Sequence, residues 1–256
     1  MIHATAIISD KAEIADDVEI GAYSIIGDGV EIAAGTRIGS HVVVNGPTRI
    51  GESNHICQFA SIGDDPQDKK YAGEPTSLVI GARNTIREFC TISRGTAQDR
   101  GETCIGDDNW IMAYVHIAHD CVVGNKTIMA NNATLAGHVH VGDWVILAGF
   151  SGAHQFCKIG PHAFLGMYAG VSRDVPAYTL VSGQPATARG INSEGLKRRD
   201  FTSEQIRNIK NAYRVTFRQG KKLQEAIEEI EVLSGQQPEL IPFLDSLRSS
   251  ERGLVR

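Results

Sequence analysis

From its first residues this chain repeats an aliphatic side chain every six positions. Ile2, Ile8, Ile14, Ile20, Ile26, Ile32, Ile38, Val44, Ile50, Ile56 and Ile62 share one register, commonly with a small or β-branched residue four places later. The period resumes at Ile80, Ile86 and Ile92 and slips by one residue. It then runs from Ile105 through Ile111, Ile117, Val123, Met129, Leu135, Val141, Leu147, Ala153, Ile159 and Leu165 to Val171. A period of six matches neither a helix at 3.6 nor a single strand at 2, but it does match a short strand plus a corner, repeated. Three such units make one coil, and a coil hides its apolar edge only against the next. The spacing therefore predicts a mainly β chain wound as a parallel β-helix.

Two polar segments interrupt the period, "DDPQDKKYAGEPTSLV" (about 64–79) and "SRGTAQDRGETC" (about 93–104). Both are expected to protrude as loops from the rigid prism, where function often resides. The β-helix is expected over 1–188 and a small helical domain over 189–256. In the latter, Thr202 with Gln205 reads as a capping box and Ile206, Ile209, Tyr213 and Phe217 form a helical stripe that Gly220 can end. Leu223, Ala226, Ile227 and Ile230 predict a second helix, and Leu240, Phe243, Leu244 and Leu247 a third.

Composition narrows the function. A net charge of -5 over 256 residues gives no support to nucleic-acid binding through a basic surface. The five cysteines are scattered and never form CxxC, which argues against a disulfide framework or a structural zinc site and fits a reducing cytoplasm. No apolar run of about 18 residues and no signal-like amino terminus is present, so a soluble cytoplasmic protein without an integral membrane segment is expected.

The register also says where histidines go. In an 18-residue coil, "AHD" (118–120), "AGH" (136–138) and "HQF" (154–156) stack about 4.8 Å apart. His119 then lies over Gly137 and Asp120 over His138, with Gln155 and His154 on the same corner. None is an inward position, so all are expected to reach the surface. A histidine of this kind serves as a general base, and a bare glycine N–H can hold an oxyanion. Metal ligation by His116 and His119, or polar filling without purpose, are the other readings. Asp120 reaches His119 only if a corner turns it, because neighbours on a strand point to opposite faces.

"HIAHDC", "NNATLAGHV", "HQFC", "DKKYAGEPT" and "NSEGLKRR" around this frame resemble the UDP-N-acetylglucosamine O-acyltransferases of lipid A biosynthesis, along essentially the whole chain. The resemblance implies a left-handed β-helix and transfer of a 3-hydroxyacyl group from acyl carrier protein to the 3-hydroxyl of UDP-N-acetylglucosamine. It implies a homotrimer with no cofactor and no metal. It makes His119 the general base, assisted by Asp120, and Gly137 the oxyanion donor. Substrate contacts fall on Asp68, Lys70, His116, His138, His154, Gln155, Asn192, Glu194, Arg198 and Arg199. Where the family often has "HRGT" this chain has "SRGT", with Ser93. Many relatives also have consecutive glycines where this one has Gly166 and Met167, a place that helps set acyl length. An N-acyltransferase acting on an amino sugar is the nearest alternative, though it ordinarily carries another amino-terminal domain ahead of the repeat. A β-helical metalloenzyme of carbonic anhydrase type is a more distant one. Lys197 to Lys222 carry nine Lys or Arg against Asp200 and Glu204, a local +7 suited to a diphosphate or an acidic carrier protein.

Overall fold

The computed structural model describes residues 1–256. Very short strands stack into three faces of nine, eight and ten strands, which makes a triangular prism. On the first face His116 pairs with Thr134, Thr134 with Gly152 and Gly152 with Gly170, all in parallel, so each coil is 18 residues. The register widens only at the insertions: Ser61 pairs with Thr91, and Thr91 with His116.

The six-residue aliphatics point inward. Ile56, Ile62, Ile86, Ile111, Ile117 and Leu135 are essentially fully buried, and the two exceptions to the branched pattern, Met129 and Ala153, are buried beside them. Each such isoleucine or leucine contributes about 1.5–3 kcal/mol. Ile2 departs from expectation and is exposed, because no coil lies beneath the first one to cover it. Corners are turned by single residues in the left-handed region, among them Asp120 (φ 59°), His138 (φ 64°) and Phe156 (φ 65°). Asp, Asn and His tolerate this conformation better than most side chains do.

The first loop spans 65–76 and the second 94–101, each shorter than the polar segment because strands Ser77–Ile80 and Glu102–Ile105 extend the sheet. The second loop protrudes less than expected, since Arg94 and Thr96 are buried at its base. The Arg94 guanidinium donates to the carbonyls of Gly46 (3.1 Å) and Gly63 (2.6 Å), and also reaches Asp65 and Tyr71 of the first loop. One side chain thereby ties both loops to the prism.

Strands Thr179–Ser182 and Thr187–Ile191 form an antiparallel hairpin at the end of the third face, and this hairpin straddles residue 188. Helices α1 (Ser193–Lys197), α2 (Ser203–Phe217), α3 (Leu223–Ser234) and α4 (Ile241–Arg248) follow. The Thr202 capping box is made in both directions, and Gly220 (φ +70°) lies just past α2. Helix α1 is too short to show an apolar stripe in the sequence. Ile209, Ala212, Ile230, Phe243 and Leu247 build a second core against Tyr178 of the prism. The chain then returns to the last coil, where Asp174 accepts from the N–H groups of Glu251 and Arg252 and Val255 joins the prism core.

Candidate active site

The corner between the first and second faces carries the densest chemistry. His119 Nδ1 is hydrogen-bonded to Asp120 Oδ2 at 2.8 Å. Its other edge lies against Gly137, where an added Cβ would stand 2.5 Å from Cε1 and 2.7 Å from Nε2. The left-handed φ of Asp120 is what brings two consecutive side chains together, so the condition set by strand geometry is met at this corner. The Gly137 N–H makes no hydrogen bond within the chain. Gln155 stands one coil further on with the same free amide, but only Gly137 combines it with a missing side chain and an imidazole alongside.

Contrary to the expectation of surface positions, His119 and Asp120 are buried, at 6% and 0% exposure, and Gly137 is buried with them. The second loop covers them. Thr96 donates to the Asp120 carboxylate from its N–H (2.9 Å) and its hydroxyl (2.6 Å), and Thr103 Oγ1 accepts from the Asp120 N–H. Burial alone would raise the Asp120 carboxyl, but the bonds from His119 and Thr96 outweigh it and hold the carboxyl below its ordinary value. Asp120 is therefore an anion that favours the His119 tautomer with the proton on Nδ1, which leaves the Nε2 lone pair free.

His138 crosses His119 edge to face, with ring centres 4.9 Å apart, and stacks on Phe156 at 4.3 Å. Its Nδ1 meets Asp99 Oδ2 of the second loop at 2.6 Å. His116 is half-buried on the first face with Nδ1 2.7 Å from Thr91 Oγ1, and burial followed by the nearby His119 lowers its pKa. A cleft of about 430 Å³ opens beside the corner between Asp68 and Lys70 of the first loop, Thr96 and Asp99 of the second, and His138 and Phe156. Lys70 is exposed, and its N–H donates to Asp68.

The remaining sequence-derived positions lie elsewhere. His154 occupies the column of Ala118 and Ala136, one place short of the column of His119 and Gly137, and lines a separate depression of about 510 Å³ with Phe150, Gly152 and Gln184. Gln155 is exposed. Asn192, Glu194, Arg198 and Arg199 sit at the corner between the second and third faces. There Asn192 caps α1 and donates to His162 O, Glu194 pairs with Lys197, and Arg199 lies over Trp144 within 2.9 Å of His162 Nδ1. Met167 is exposed at the corner between the third and first faces, its methyl 4.0 Å from where a Cβ on Gly149 would stand. Thr96 and Asp99 went unmarked in the sequence because no period runs through a loop to fix its register.

His119, Asp120 and His138 place ligand atoms within 4.8 Å of one another, the spacing a metal ion would need. Both Nδ1 atoms, however, already face carboxylates at 2.8 and 2.6 Å, which leaves one free nitrogen on each ring. That arrangement suits proton transfer better than a closed zinc site, which takes four ligands at about 2.0–2.3 Å.

Comparison with known proteins decides the family. Residues 174–255 match the profile described as domain 2 of UDP-N-acetylglucosamine O-acyltransferase, and 11–46 and 105–137 match the bacterial transferase hexapeptide. An acyl-[acyl-carrier-protein]–UDP-N-acetylglucosamine O-acyltransferase of Thiobacillus denitrificans is 60% identical over 255 residues, covering 100% of this chain and 99% of that one. This chain belongs to that family. The Pseudomonas putida O-acyltransferase is 56% identical, again over 100% and 99% of the two chains. Among solved structures of O-acyltransferases, the Moraxella catarrhalis one superposes with a TM-score of 0.99 at 49% identity, covering 100% of this chain and 99% of that chain. The Acinetobacter baumannii structure gives 0.98 at 51%, with the same coverage. The fold is accordingly that of the O-acyltransferases, a left-handed parallel β-helix followed by a small helical domain.

Proposed function

We propose that this enzyme transfers a 3-hydroxyacyl group from acyl carrier protein to the 3-hydroxyl of UDP-N-acetylglucosamine, with His119 as the base; its relatives are named as acyl-[acyl-carrier-protein]–UDP-N-acetylglucosamine O-acyltransferases. The observation that carries the reading is the free Nε2 edge of His119 beside the unbonded N–H of Gly137. His119 Nε2 takes the proton of the sugar hydroxyl as its oxygen attacks the thioester carbonyl carbon. Gly137 N–H donates to the oxyanion of the tetrahedral intermediate. Collapse breaks the carbon–sulfur bond, and the carrier thiolate takes the proton back from His119. Asp120 keeps the imidazole in the required tautomer and stabilises its charged form.

The active unit in this reading is a homotrimer with shared sites, working in the cytoplasm. Its support is positional: Asn192, Glu194, Arg198 and Arg199 stand at a different corner from His119, so a neighbouring chain has to bring them to the same substrate. Exposed Arg207, Lys210 and Arg214 on α2 continue the basic stretch and suit an acidic carrier protein. Met167 closes the acyl groove and sets a shorter chain than glycine would permit.

A panel of 3-hydroxyacyl carrier-protein thioesters with UDP-N-acetylglucosamine tests the activity. A 3-O-ester and free carrier thiol are expected, with no loss after dialysis against a chelator. A product formed only from a 3-amino sugar, or a loss restored by zinc, would overturn it. For the shared site, His119→Ala chains mixed with Arg198→Ala chains should regain activity that neither has alone, in a particle three times the 27.7 kDa chain mass. An active monomer would contradict it.

A further inference from the structure

The second carboxylate–imidazole contact of the site lies outside the catalytic pair. His138 is fixed on three sides: its plane stacks on Phe156 at an interplanar angle of 4°, its edge meets His119, and its Nδ1 lies 2.6 Å from Asp99 Oδ2. Asp120 offers the same nitrogen no comparable partner. Its Oδ2 is 3.8 Å away and already accepts from Thr96 and His119. Asp99 is held in place by the turn of its own loop, in which its N–H and that of Gly101 both donate to the Thr96 carbonyl. The Thr96 that anchors this turn is the residue whose N–H and hydroxyl grip Asp120. One turn of the second loop therefore supports both imidazoles, with Thr96 reaching His119 through Asp120 and Asp99 reaching His138 directly.

We propose that Asp99 is a positioning residue that fixes the tautomer and angle of His138, so that His138 meets substrate as a hydrogen-bond acceptor through Nε2. An imidazole whose Nδ1–H donates to a carboxylate keeps its lone pair on Nε2, and only that form accepts from a hydroxyl or amide of the sugar nucleotide. Without Asp99 the ring samples the other tautomer and loses its tether, while Asp120 continues to hold His119. The inference rests on the reading of His138 as a substrate contact. It separates two roles within one loop, Thr96 serving turnover through the base and Asp99 serving substrate affinity through His138.

The test compares Asp99→Ala, Asp99→Asn, His138→Ala and the double variant Asp99→Ala with His138→Ala. Asp99→Ala should raise KM for UDP-N-acetylglucosamine about 10-fold with kcat little changed, the scale of one charged hydrogen bond. Asp99→Asn, which keeps an acceptor oxygen, should recover most of that loss. In the His138→Ala background, Asp99→Ala should add nothing, because a residue acting through another has no effect once the other is gone. Losses that add in the double variant would overturn the proposal and make Asp99 a merely structural loop residue. A second readout is independent of substrate. With uniformly ¹⁵N-labelled histidine, the His138 nitrogens, assigned by their absence in His138→Ala, should shift from the Nδ1–H form toward a tautomer mixture in Asp99→Ala. Unchanged shifts would also overturn it. Should His138→Ala leave KM untouched, the substrate-contact reading fails, and the nitrogen shifts still decide whether Asp99 sets the tautomer.

Discussion

The His119 imidazole rests directly against the bare backbone of Gly137, so closely that a Cβ there would fall 2.5 Å from Cε1 and 2.7 Å from Nε2. Real Cβ contacts are not that short, so a side chain at 137 must displace the ring from Asp120. Gly137→Ala should lower kcat by about 10²-fold, since it disturbs both the proposed base and the neighbouring N–H. Its thermal midpoint should change little, because the ring rather than the prism core absorbs the clash. Turnover close to that of the parent would show that the ring adapts and that 137 need not be glycine.

A pH effect is expected at the far corner. His162 is pushed down to about 4 from its ordinary 6.5 by burial, then by Arg199, against an opposing pull from Asp143. Between pH 6.5 and about 4 the unfolded chain binds a proton at this position and the folded chain does not. Its contribution is therefore fully present above pH 6.5 and is lost as pH falls toward 4. The urea midpoint of His162→Gln should vary less across that window than the parent's. Parallel profiles would mean that other groups carry the acid sensitivity.

Chain length tests a single residue. Met167 extends over Gly149 at an exposed corner and fills no core, so Met167→Gly should move preference toward longer 3-hydroxyacyl donors. A methylene in an apolar pocket is worth about 1–3 kcal/mol, so donors several carbons too long should gain by orders of magnitude. The native donor should be little affected. An unchanged donor profile would place the ruler elsewhere along the prism.

How much of this was legible in the sequence follows from what carries a period. The inward aliphatics, the stacking of His119 on Gly137 and of Asp120 on His138, and Met167 over Gly149 all obey the 18-residue register and were readable from it. The nearness of Asp120 to His119 needed the left-handed corner at Asp120, which spacing alone does not reveal. Arg94, Thr96 and Asp99 were invisible because they act from an aperiodic loop folded back over the corner, and the same fold buries the pair that the register had placed at the surface. The register likewise stops before Asn192 and Arg199, whose separation from His119 is set by the hairpin and helices packing on another corner.

The most direct test of the account is the turnover number of His119→Ala with 3-hydroxyacyl carrier-protein thioester and UDP-N-acetylglucosamine, both saturating. Loss of a general base costs about 10²-fold or more, and His119 lies outside the inward aliphatic ladder, so kcat should fall by at least that factor while the thermal unfolding midpoint stays near the parent's. A folded variant that turns over at close to the parental rate would contradict the assignment of His119 as the base.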